Sequence, residues 1–395
     1  MLALLHRLRL QWFLLTRSLG YGTDFTTILY KIYLNHDKII HFRRGFPVYS
    51  LSTPAVFSAP AANFLARALY RTIQNKNLPN LMSFAVNDDC NAACEHCSFF
   101  EAVDDRARSP LSFEQACDAI AQAQDLGVSV LNFVGGEPLQ RQDLPDLIRS
   151  VDRQRSTTVL FTNGWLLSDR ARELRRADLD SIYVSLDAAD PEQHDRIRQT
   201  PGLFERAIAG LKVAKKLGFS VGISTTLTPE RYAAGELPRI IELAKRLGVH
   251  EVLVFDALPS GRYQDREDLV RSPQSPDWVE AMMRSVAHYN RDRTYPGVVF
   301  FAYFTSHRSV GCSCGTSYFY LSPYGDVMSC DFNAHSFGNI RHAPLWQLWE
   351  RLTTTPDYCS AKWGGCKVKD PDWRDRISEP ASPHPTLRAP FPSGD

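Results

Sequence analysis

The sequence carries almost no net charge and contains no long apolar run. Its 45 Lys and Arg residues nearly balance 44 Asp and Glu residues, which leaves a formal net charge of +1. Because nucleic-acid binding usually needs a strong positive charge, we expect no nucleic-acid partner. Arg7, Arg9 and Arg17 interrupt the apolar N-terminus, so no stretch reaches the roughly 20 residues of a membrane-spanning helix. No small-residue cleavage signature follows, so we expect no signal peptide.

The N-terminal segment nevertheless combines apolar and basic residues at helical spacing. Residues 1–45 hold seven Lys and Arg but only two Asp and Glu, and the apolar positions are Leu4, Leu5, Leu8, Trp12 and Leu15. A helix packed on the main domain explains such a stripe most simply. An interfacial helix lying on a membrane is the alternative. We expect a cytoplasmic protein, and peripheral contact with the inner face of the membrane through residues 1–45 stays open.

From residue 81 onward, short apolar runs alternate with amphipathic stretches. Six runs, from LMSFAV to EVLVFDAL, alternate with helices predicted over 113–126, 144–153, 168–176, 204–217 and 238–247. This alternation indicates parallel strands joined by helical crossovers. No GxGxxG follows any of these strands, which argues against a dinucleotide-binding fold. The sequence therefore predicts an α/β fold, a partial (β/α)6 barrel of TIM type, over residues 81–265.

Three further segments flank this barrel. Residues 1–80 are predicted to form a helical extension with a proline-rich joint, and they include a helix over 61–74. Residues 266–370 form a small extension that contains further cysteines. The segment 371–395 is rich in proline and poor in apolar residues, so we expect a disordered tail.

Polar or cysteine-bearing loops follow the first four predicted strands. Three cysteines follow the first strand, Gly135–Pro138 follow the second, Thr162–Gly164 follow the third, and Ser185 and Asp187 end the fourth. In TIM-type barrels the loops after the strands converge at one rim, where the chemistry takes place. The sequence therefore predicts a functional site at this rim.

The nine cysteines indicate a metal centre. Clustered cysteines in a chain of this length point to metal binding in a reducing compartment rather than to disulfides. Cys90, Cys94 and Cys97 lie within eight positions. A structural zinc site wants four ligands, and His96 would be an awkward fourth because it adjoins Cys97. A [4Fe–4S] cluster held by three thiolates keeps one iron open for a substrate or cofactor.

The segment CNAACEHC matches the CxxxCxΦC signature of the radical S-adenosylmethionine (SAM) superfamily, with His96 at the usually aromatic position. GGEP after the second strand and the six-strand rhythm extend the resemblance over roughly residues 82–261. The resemblance implies that Cys90, Cys94 and Cys97 bind three irons of a [4Fe–4S] cluster and that SAM binds the fourth. It also implies reductive cleavage of SAM to a 5′-deoxyadenosyl radical, which abstracts hydrogen from a substrate.

The resemblance further implies a set of SAM-contacting residues and an electron source. The SAM-contacting residues would be His96, Gly135, Gly136, Glu137, Pro138, Asn163, Ser185 and Arg198. Arg196 competes with Arg198 for its role, and Asn163 is equally suited to a simple Asn-Gly turn. An external donor such as a flavodoxin or ferredoxin would supply the electron. No catalytic residue beyond the cluster and the SAM site is expected.

A second group of cysteines lies in the C-terminal region, at Cys312, Cys314, Cys330, Cys359 and Cys366. The segments GDVMSC and SFGNI resemble the SPASM and twitch extensions, which carry auxiliary iron–sulfur clusters. The CxxCxxxxxC run of full SPASM domains is missing, so the resemblance implies one auxiliary cluster. Its best ligands would be Cys330 with Cys312 or Cys314, followed by Cys366 and Cys359. Zinc is the alternative occupant, and Cys117 is assigned to the core.

Taken together, these features predict a radical SAM enzyme, of oxidoreductase or transferase type, with one auxiliary iron–sulfur cluster. Relatives with this extension often modify ribosomal peptides, so a peptide is the first substrate class to expect. The apolar and basic N-terminus makes a lipid or another membrane-associated substrate the alternative. A non-catalytic metal-binding or redox module is the alternative of another class.

Overall fold

Twelve strands form the framework of the computed structural model, which describes residues 38–74, 76–99, 108–270, 278–302, 312–356 and 366–378, together with residues 5, 8, 9 and 12. In the described residues the strands are β1 (His41–Arg43), β2 (Phe46–Val48), β3 (Leu81–Ala85), β4 (Val130–Val134), β5 (Thr157–Thr162), β6 (Ser181–Ser185), β7 (Ser220–Leu227), β8 (Glu251–Asp256), β9 (Gly297–Phe300), β10 (Tyr318–Leu321), β11 (Asp326–Cys330) and β12 (Asn333–Asn339).

The helices that follow the barrel strands pack on the outer face of the sheet, whereas the helix Ala59–Gln74 borders the interior cavity. The described helices are α1 (Ala59–Gln74), α2 (Phe113–Asp125), α3 (Leu144–Ser150), α4 (Leu167–Arg176), α5 (Pro191–Arg198), α6 (Leu203–Lys216), α7 (Pro229–Ala233), α8 (Glu236–Leu247), α9 (Trp278–Ser285), α10 (Ala287–Arg291), α11 (Leu345–Thr354) and α12 (Pro371–Ser378). Short 3₁₀ turns occur at Pro138–Gln140, Gly261–Tyr263, Glu267–Leu269 and Lys367–Lys369. Among the described helices, none is long and apolar enough to cross a membrane.

Ten strands form one sheet in the order β12-β11-β10-β3-β4-β5-β6-β7-β8-β9, and β1 and β2 form a separate hairpin. From β10 to β9 every neighbouring pair is parallel, whereas β10, β11 and β12 pair antiparallel. The predicted α/β barrel is confirmed, because the six predicted strands are β3 to β8 in consecutive order. The sequence did not reveal β9 and β10, which extend the parallel sheet on either side with four residues each.

The predicted helices of the barrel also form, because their apolar stripes pack against the sheet. On α8, for example, Leu237, Ile240, Ile241 and Ala244 are buried at the spacing of one helical face. A capping box begins α2: the Ser112 hydroxyl accepts a hydrogen bond from the Gln115 amide, as such a motif predicts. The strand–helix rhythm therefore reflects a real division between sheet and outer helices.

The N-terminal extension is only partly helical. After the β1–β2 hairpin, residues 49–58 enter the inside of the barrel, where Leu51 and Ala55 pack against Val130 and Val159. Buried Glu251 on β8 accepts hydrogen bonds from the Leu51 amide and the Ser50 hydroxyl, both at 3.2 Å. The extension thus closes the barrel at the amino ends of its strands, and α1 is its one long helix in the described residues.

The prediction of a disordered tail is wrong for residues 371–378. These residues form α12, and Trp373 in this helix is 4% exposed and packs in the main core. The Arg374 guanidinium donates hydrogen bonds to the carbonyl oxygens of Pro259 and Gln264, at 2.7 and 2.9 Å. One buried tryptophan and one arginine are enough to dock a segment whose average composition is poor in apolar residues. Residues 379–395 lie outside the described residues.

Candidate active site

A cavity of about 780 Å³ reaches the carboxyl ends of the barrel strands. All eleven residues predicted for the first cysteine cluster and for SAM binding line this cavity. Neighbouring strands bring them together: Ala85 at the end of β3 pairs with Val134 at the end of β4, and Ser185 on β6 pairs with Ser224 on β7. The volume lies within the range of ligand pockets in proteins, roughly 300–1,000 Å³.

The three cysteines of the first cluster lie on a loop that follows β3, and we call residues 86–99 the cluster loop. The end of α5 holds this loop, because the amides of Ala93 and Glu95 donate hydrogen bonds to the carbonyls of Arg198 and Ile197. Cys90 is exposed, whereas Cys94 and Cys97 are half-buried. Burial raises the pKa of the Cys94 and Cys97 thiols, and bound iron would reverse this shift by stabilising the thiolates.

The glycines of GGEP pack directly against the cluster loop. A Cβ atom on Gly136 would lie 2.2 Å from the carbonyl oxygen of Asp89, and one on Gly135 would lie 2.7 Å from that of Asn87. The Gly136 amide donates a 3.0 Å hydrogen bond to the Asn87 carbonyl, and the Glu137 amide donates a 2.7 Å hydrogen bond to the Asp89 carbonyl. Only residues without a side chain permit this approach, so the pair fixes the cluster loop on the end of β4.

Glu137 joins the loop after β4 to the loop after β5. Its side chain is buried, and its carboxylate accepts hydrogen bonds from the Thr162 hydroxyl at 2.6 Å and from the Asn163 and Leu139 amides at 2.7 and 3.0 Å. Burial raises the pKa of Glu137, and these three donors counteract that effect. Most of the hydrogen-bonding capacity of this carboxylate is therefore used within the protein.

Asn163 and Ser185 occupy the next two strand ends. The Asn163 side chain donates a 2.8 Å hydrogen bond to the side chain of Asn91 in the cluster loop and accepts one from the Trp165 amide at 2.9 Å. It therefore forms the predicted turn and contacts the cluster loop at the same time. The Ser185 hydroxyl lies 3.2 Å from that of Ser224 and faces the cavity.

Asp187 and Arg198 form a buried ion pair beside the cluster loop. The Asp187 carboxylate accepts hydrogen bonds from two nitrogens of Arg198, both at 2.7 Å, and the Arg198 guanidinium lies 3.7 Å from the Cys94 sulfur. Burial alone would raise the pKa of Asp187, but the charge of Arg198 holds it well below its usual range. Arg196 is exposed and lines no part of the cavity, so the geometry favours Arg198 over Arg196.

His96 packs between this ion pair and an aromatic ring. Its Nε2 atom is 3.4 Å from the Asp187 carboxylate, and its ring centroid is 6.3 Å from that of Tyr263. Burial lowers the pKa of His96 to about 4. The imidazole at the usually aromatic position is therefore a neutral, flat surface facing the cavity.

Four of the five C-terminal cysteines come together beside β10 and β11. The thiols of Cys312 and Cys330 both lie within hydrogen-bonding reach of the Cys314 thiol, which raises the pKa of Cys314 and lowers that of Cys312 to about 7. Cys366 is close enough to Cys312 and Cys330 for their charges, together with burial, to raise its pKa. Cys359 lies outside the described residues. Cys117 packs against the main core, as the sequence predicted.

Whether iron–sulfur clusters fit these residues depends on the donor sets. In the part of the chain that the structure describes, no three His, Cys, Asp or Glu side chains are arranged around one point as a single metal ion requires. A [4Fe–4S] cluster instead binds each thiolate through a separate iron, so its ligands need not converge on one point. Three thiolates on one loop and four near β10 and β11 are donor sets that fit such clusters.

Several cavity residues have no counterpart in the predicted set. Asp331 follows Cys330 directly, and its carboxylate accepts a hydrogen bond from the Tyr318 hydroxyl; burial raises the pKa of Asp331. Arg71 enters the cavity from α1, and Arg262 holds the cluster loop through the Ala93 carbonyl at 2.7 Å. The one signal in the sequence that could have identified Asp331 is its position directly after Cys330, a predicted cluster ligand.

The fold and the site define an enzyme of the iron–sulfur class, built on a partial barrel with a three-cysteine loop at its rim. The model of the radical SAM superfamily matches residues 85–232, and that of an iron–sulfur cluster-binding domain, SPASM, matches residues 312–362. The AdoMet-dependent heme synthase of Methanosarcina barkeri is 30% identical over 318 residues, which cover 74% of this chain and 90% of that protein. The chain belongs to the radical SAM superfamily.

Two further comparisons agree with this assignment. The PqqA peptide cyclase of Rhizobium meliloti is 30% identical over 304 residues, covering 74% of this chain and 79% of that protein. The fold resembles the crystal structure of Streptococcus suis SuiB bound to S-adenosylmethionine, with a TM-score of 0.58 and 17% identity over 75% of this chain and 70% of the other. The predicted enzyme class is confirmed, as are SAM, the [4Fe–4S] cluster of the radical SAM domain and auxiliary iron–sulfur binding.

Proposed function

We propose that this enzyme abstracts a hydrogen atom from a substrate that binds in the cavity between the cluster loop and the C-terminal cysteines. One observation carries this proposal: the same cavity is lined by Cys90, Cys94 and Cys97 and by Tyr318 and Asp331 next to the second cysteine group. When bound, the cluster and SAM supply the 5′-deoxyadenosyl radical that removes the hydrogen atom.

The residues around the cluster loop have separate roles in this proposal. Cys90, Cys94 and Cys97 would bind three irons, and the Gly135–Pro138 segment holds their loop in place. The carbonyls of Glu137 and Pro138 already accept hydrogen bonds within the protein, so those of Gly135 and Gly136 would receive the SAM ammonium group. Arg198, neutralised by Asp187, keeps a fixed donor beside Cys94. The neutral ring of His96 and the hydroxyl of Ser185 line the cavity and would contact the rest of SAM.

The C-terminal cysteines hold one auxiliary cluster in this proposal. Its ligands are Cys312, Cys314, Cys330 and Cys366, because their thiols are close to one another and each lies at a buried or half-buried position. Four thiolates would complete the coordination of a cubane cluster and leave no iron open. Such a centre would exchange electrons rather than bind the substrate. Cys359 stays a predicted ligand.

A peptide segment is the substrate that we propose first. A relative that is 30% identical over most of its length is named as a cyclase of the PqqA peptide. The cavity offers backbone-binding groups of the kind a peptide needs, such as the side chains of Ser83 on β3, Asn132 on β4 and Ser224 on β7.

A carboxylate-bearing porphyrin is a second candidate, which the remainder of the cavity lining favours. Its wall contains apolar rings, including Phe64, Phe161 and Phe255, and the cations Arg71 and Arg108. Rings of this kind suit a flat apolar ligand, and arginines suit carboxylates. The relatives named above include a heme synthase, and a further relative is named Fe-coproporphyrin III synthase.

The proposed partners are an external electron donor, such as a flavodoxin or ferredoxin, and a membrane surface. Leu5, Leu8 and Trp12 are helical and each is more than half exposed, which supports a helix face that contacts lipid. This contact would bring a lipid or another membrane-associated substrate within reach. Substituting Leu8 and Trp12 by serine should abolish flotation with anionic liposomes; flotation that persists in this variant would refute the contact.

The proposed reaction can be tested with anaerobically reconstituted, reduced enzyme supplied with SAM. Liquid chromatography and mass spectrometry should detect 5′-deoxyadenosine and methionine. Deuterated candidate peptides and porphyrins are then added separately, and deuterium in the 5′-deoxyadenosine identifies the substrate from which hydrogen was taken. A chain that yields no 5′-deoxyadenosine with a fully loaded cluster would contradict the proposed reaction.

Cysteine variants separate the two centres. Cys97→Ala should abolish 5′-deoxyadenosine formation and lower the iron content, whereas Cys330→Ala should lower the iron content but retain SAM cleavage without substrate. Cys117→Ala is the matched control, because Cys117 packs against the core and should leave both quantities unchanged. Full iron content in Cys330→Ala would argue against the auxiliary ligand set.

A further inference from the structure

Helix α1 of the N-terminal extension reaches the second group of cysteines. The Arg71 guanidinium on this helix donates a 3.0 Å hydrogen bond to the Thr316 hydroxyl. That hydroxyl in turn donates to the carbonyl oxygens of Ser313 and Cys312, at 3.0 and 3.3 Å. The Thr316 side chain therefore links Arg71 to the tight turn that carries Cys312 and Cys314.

The Arg71 guanidinium is held at the turn that carries Cys312, one hydroxyl away from the Cys312 carbonyl. Burial lowers the pKa of Arg71, and in the described residues the charged neighbour that raises it is Cys312. An arginine stays protonated in proteins, so this half-buried side chain carries a full positive charge beside the turn that holds Cys312. Arg67, one turn earlier on α1, makes a different contact: its Nε atom donates a 3.0 Å hydrogen bond to the Pro79 carbonyl.

The helix that carries Arg71 is fixed to the barrel. The Asn63 side chain donates a 2.9 Å hydrogen bond to the Ser129 hydroxyl, and the Asn80 side chain donates a 3.2 Å hydrogen bond back to the Phe64 carbonyl. The turn on the other side is fixed as well, because the Asn80 amide donates a 2.7 Å hydrogen bond to the Ser317 carbonyl. The cation and the cysteine turn are thus held in one geometry.

We infer that Arg71 stabilises the reduced state of the auxiliary cluster and thereby sets its reduction potential. The inference rests on the proposed function, in which Cys312, Cys314, Cys330 and Cys366 bind that cluster. Thiolate ligands make such a cluster anionic, and one-electron reduction by an external donor adds a further negative charge. A fixed cation beside a ligating thiolate favours the state with the larger negative charge. The N-terminal extension, which lies outside both matched family segments, would then have an electrostatic role.

The reduction potential can be measured in a full-length chain whose cluster loop carries alanine at Cys90, Cys94 and Cys97. This background leaves the auxiliary cluster as the one centre to titrate by electron paramagnetic resonance and visible absorption. Arg71→Gln should shift the reduction equilibrium toward the oxidised form at least tenfold, which for one electron corresponds to about 59 mV toward negative potential. Arg71→Lys keeps the charge and should shift the equilibrium less than threefold.

Arg67→Gln is the matched control, because it removes a cation from the same helix without touching the cysteine turn, and it should leave the potential unchanged. An unchanged potential in Arg71→Gln would overturn the inference. Equal shifts in Arg71→Gln and Arg71→Lys would overturn it too, because the hydrogen bond rather than the charge would then be responsible. Loss of all iron in the triple-alanine background would refute the auxiliary ligand set itself, and the iron assay separates that failure from the others.

Discussion

Gly136→Ala tests whether GGEP positions the cluster loop by close packing. The new Cβ atom would lie 2.2 Å from the Asp89 carbonyl oxygen and 2.5 Å from its carbonyl carbon, whereas real Cβ atoms keep at least 3.0 Å. The cluster loop must therefore retreat by about 0.8 Å, since both contacts are with backbone. The hydrogen bonds from the Gly136 amide to Asn87 and from the Glu137 amide to Asp89 resist this movement.

The cost of this single methyl group can be bounded in two ways. If the hydrogen bonds hold, overpacking destabilises the protein by about 1–3 kcal/mol. If they break, two net hydrogen bonds are lost at about 0.5–1.5 kcal/mol each, which gives the same range. Displacing reacting groups by about 1 Å commonly costs around 100-fold in rate. We therefore expect modest destabilisation but a loss of about 100-fold in SAM cleavage, together with reduced iron in the cluster loop.

The assay combines chemical denaturation, iron analysis and the rate of 5′-deoxyadenosine formation. Gly218→Ala is the control, because Gly218 has no atom within 4 Å of a new Cβ and a φ of +81°. Left-handed strain should cost that variant about 1–2 kcal/mol without changing iron content or rate. If Gly136→Ala keeps both its iron and its rate, the packing argument for GGEP is refuted.

Two further predictions concern buried charges. Asp187→Asn leaves the Arg198 guanidinium buried without its counter-ion, so the free energy of unfolding of the iron-free protein should fall by about 3–5 kcal/mol. Adding Arg198→Gln removes the unpaired charge, so the double variant should lose less stability than the sum of the two single variants. Burial raises the pKa of Glu251 to about 7; the folded state therefore binds more protons than the unfolded state between pH 4.5 and pH 7, and stability should fall across this range by up to about 3 kcal/mol. Glu251→Gln should flatten this pH dependence in urea titrations, and a slope equal to that of the parent protein would contradict the assignment.

The barrel could be predicted from the sequence because its strands are buried on both faces. Short runs with no charged residue in their interior, such as TTVLFT, stand out when amphipathic helices separate them, and β3 to β8 all have this form. β9 and β10 lack that context, since they are four residues long and pair beside strands distant in the sequence. α12 was missed for a similar reason: its burial depends on Trp373 and Arg374 rather than on a periodic stripe.

The sequence predicted which residues line the cavity better than it predicted their contacts. Spacing was sufficient to single out the cysteines of the cluster loop, because all three predicted ligands lie on one loop. It could not distinguish Arg198 from Arg196, which differ by their positions around the end of α5; one is buried against Asp187 and the other is exposed. The hydrogen bond from the Asn163 amide to Glu137 could not be predicted either, because it joins two loops that meet only in the folded barrel.

The pairing of β10 with β3 explains why the cluster loop and the residues next to the second cysteine group line one cavity. β3 leads into the cluster loop, and β10 follows the turn that carries Cys312 and Cys314; the two strands run parallel, with Leu321 opposite Phe84. The ring of Tyr320 on β10 stacks on Phe99 of the cluster loop, with centroids 5.5 Å apart, and the Tyr324 hydroxyl donates a 2.9 Å hydrogen bond to Asp88. The C-terminal extension thus forms a wall of the active site. Its cysteines lie beside the amino end of β10 while the cluster loop lies at the carboxyl end of β3, so the space between the two centres is set by the length of a single strand pair.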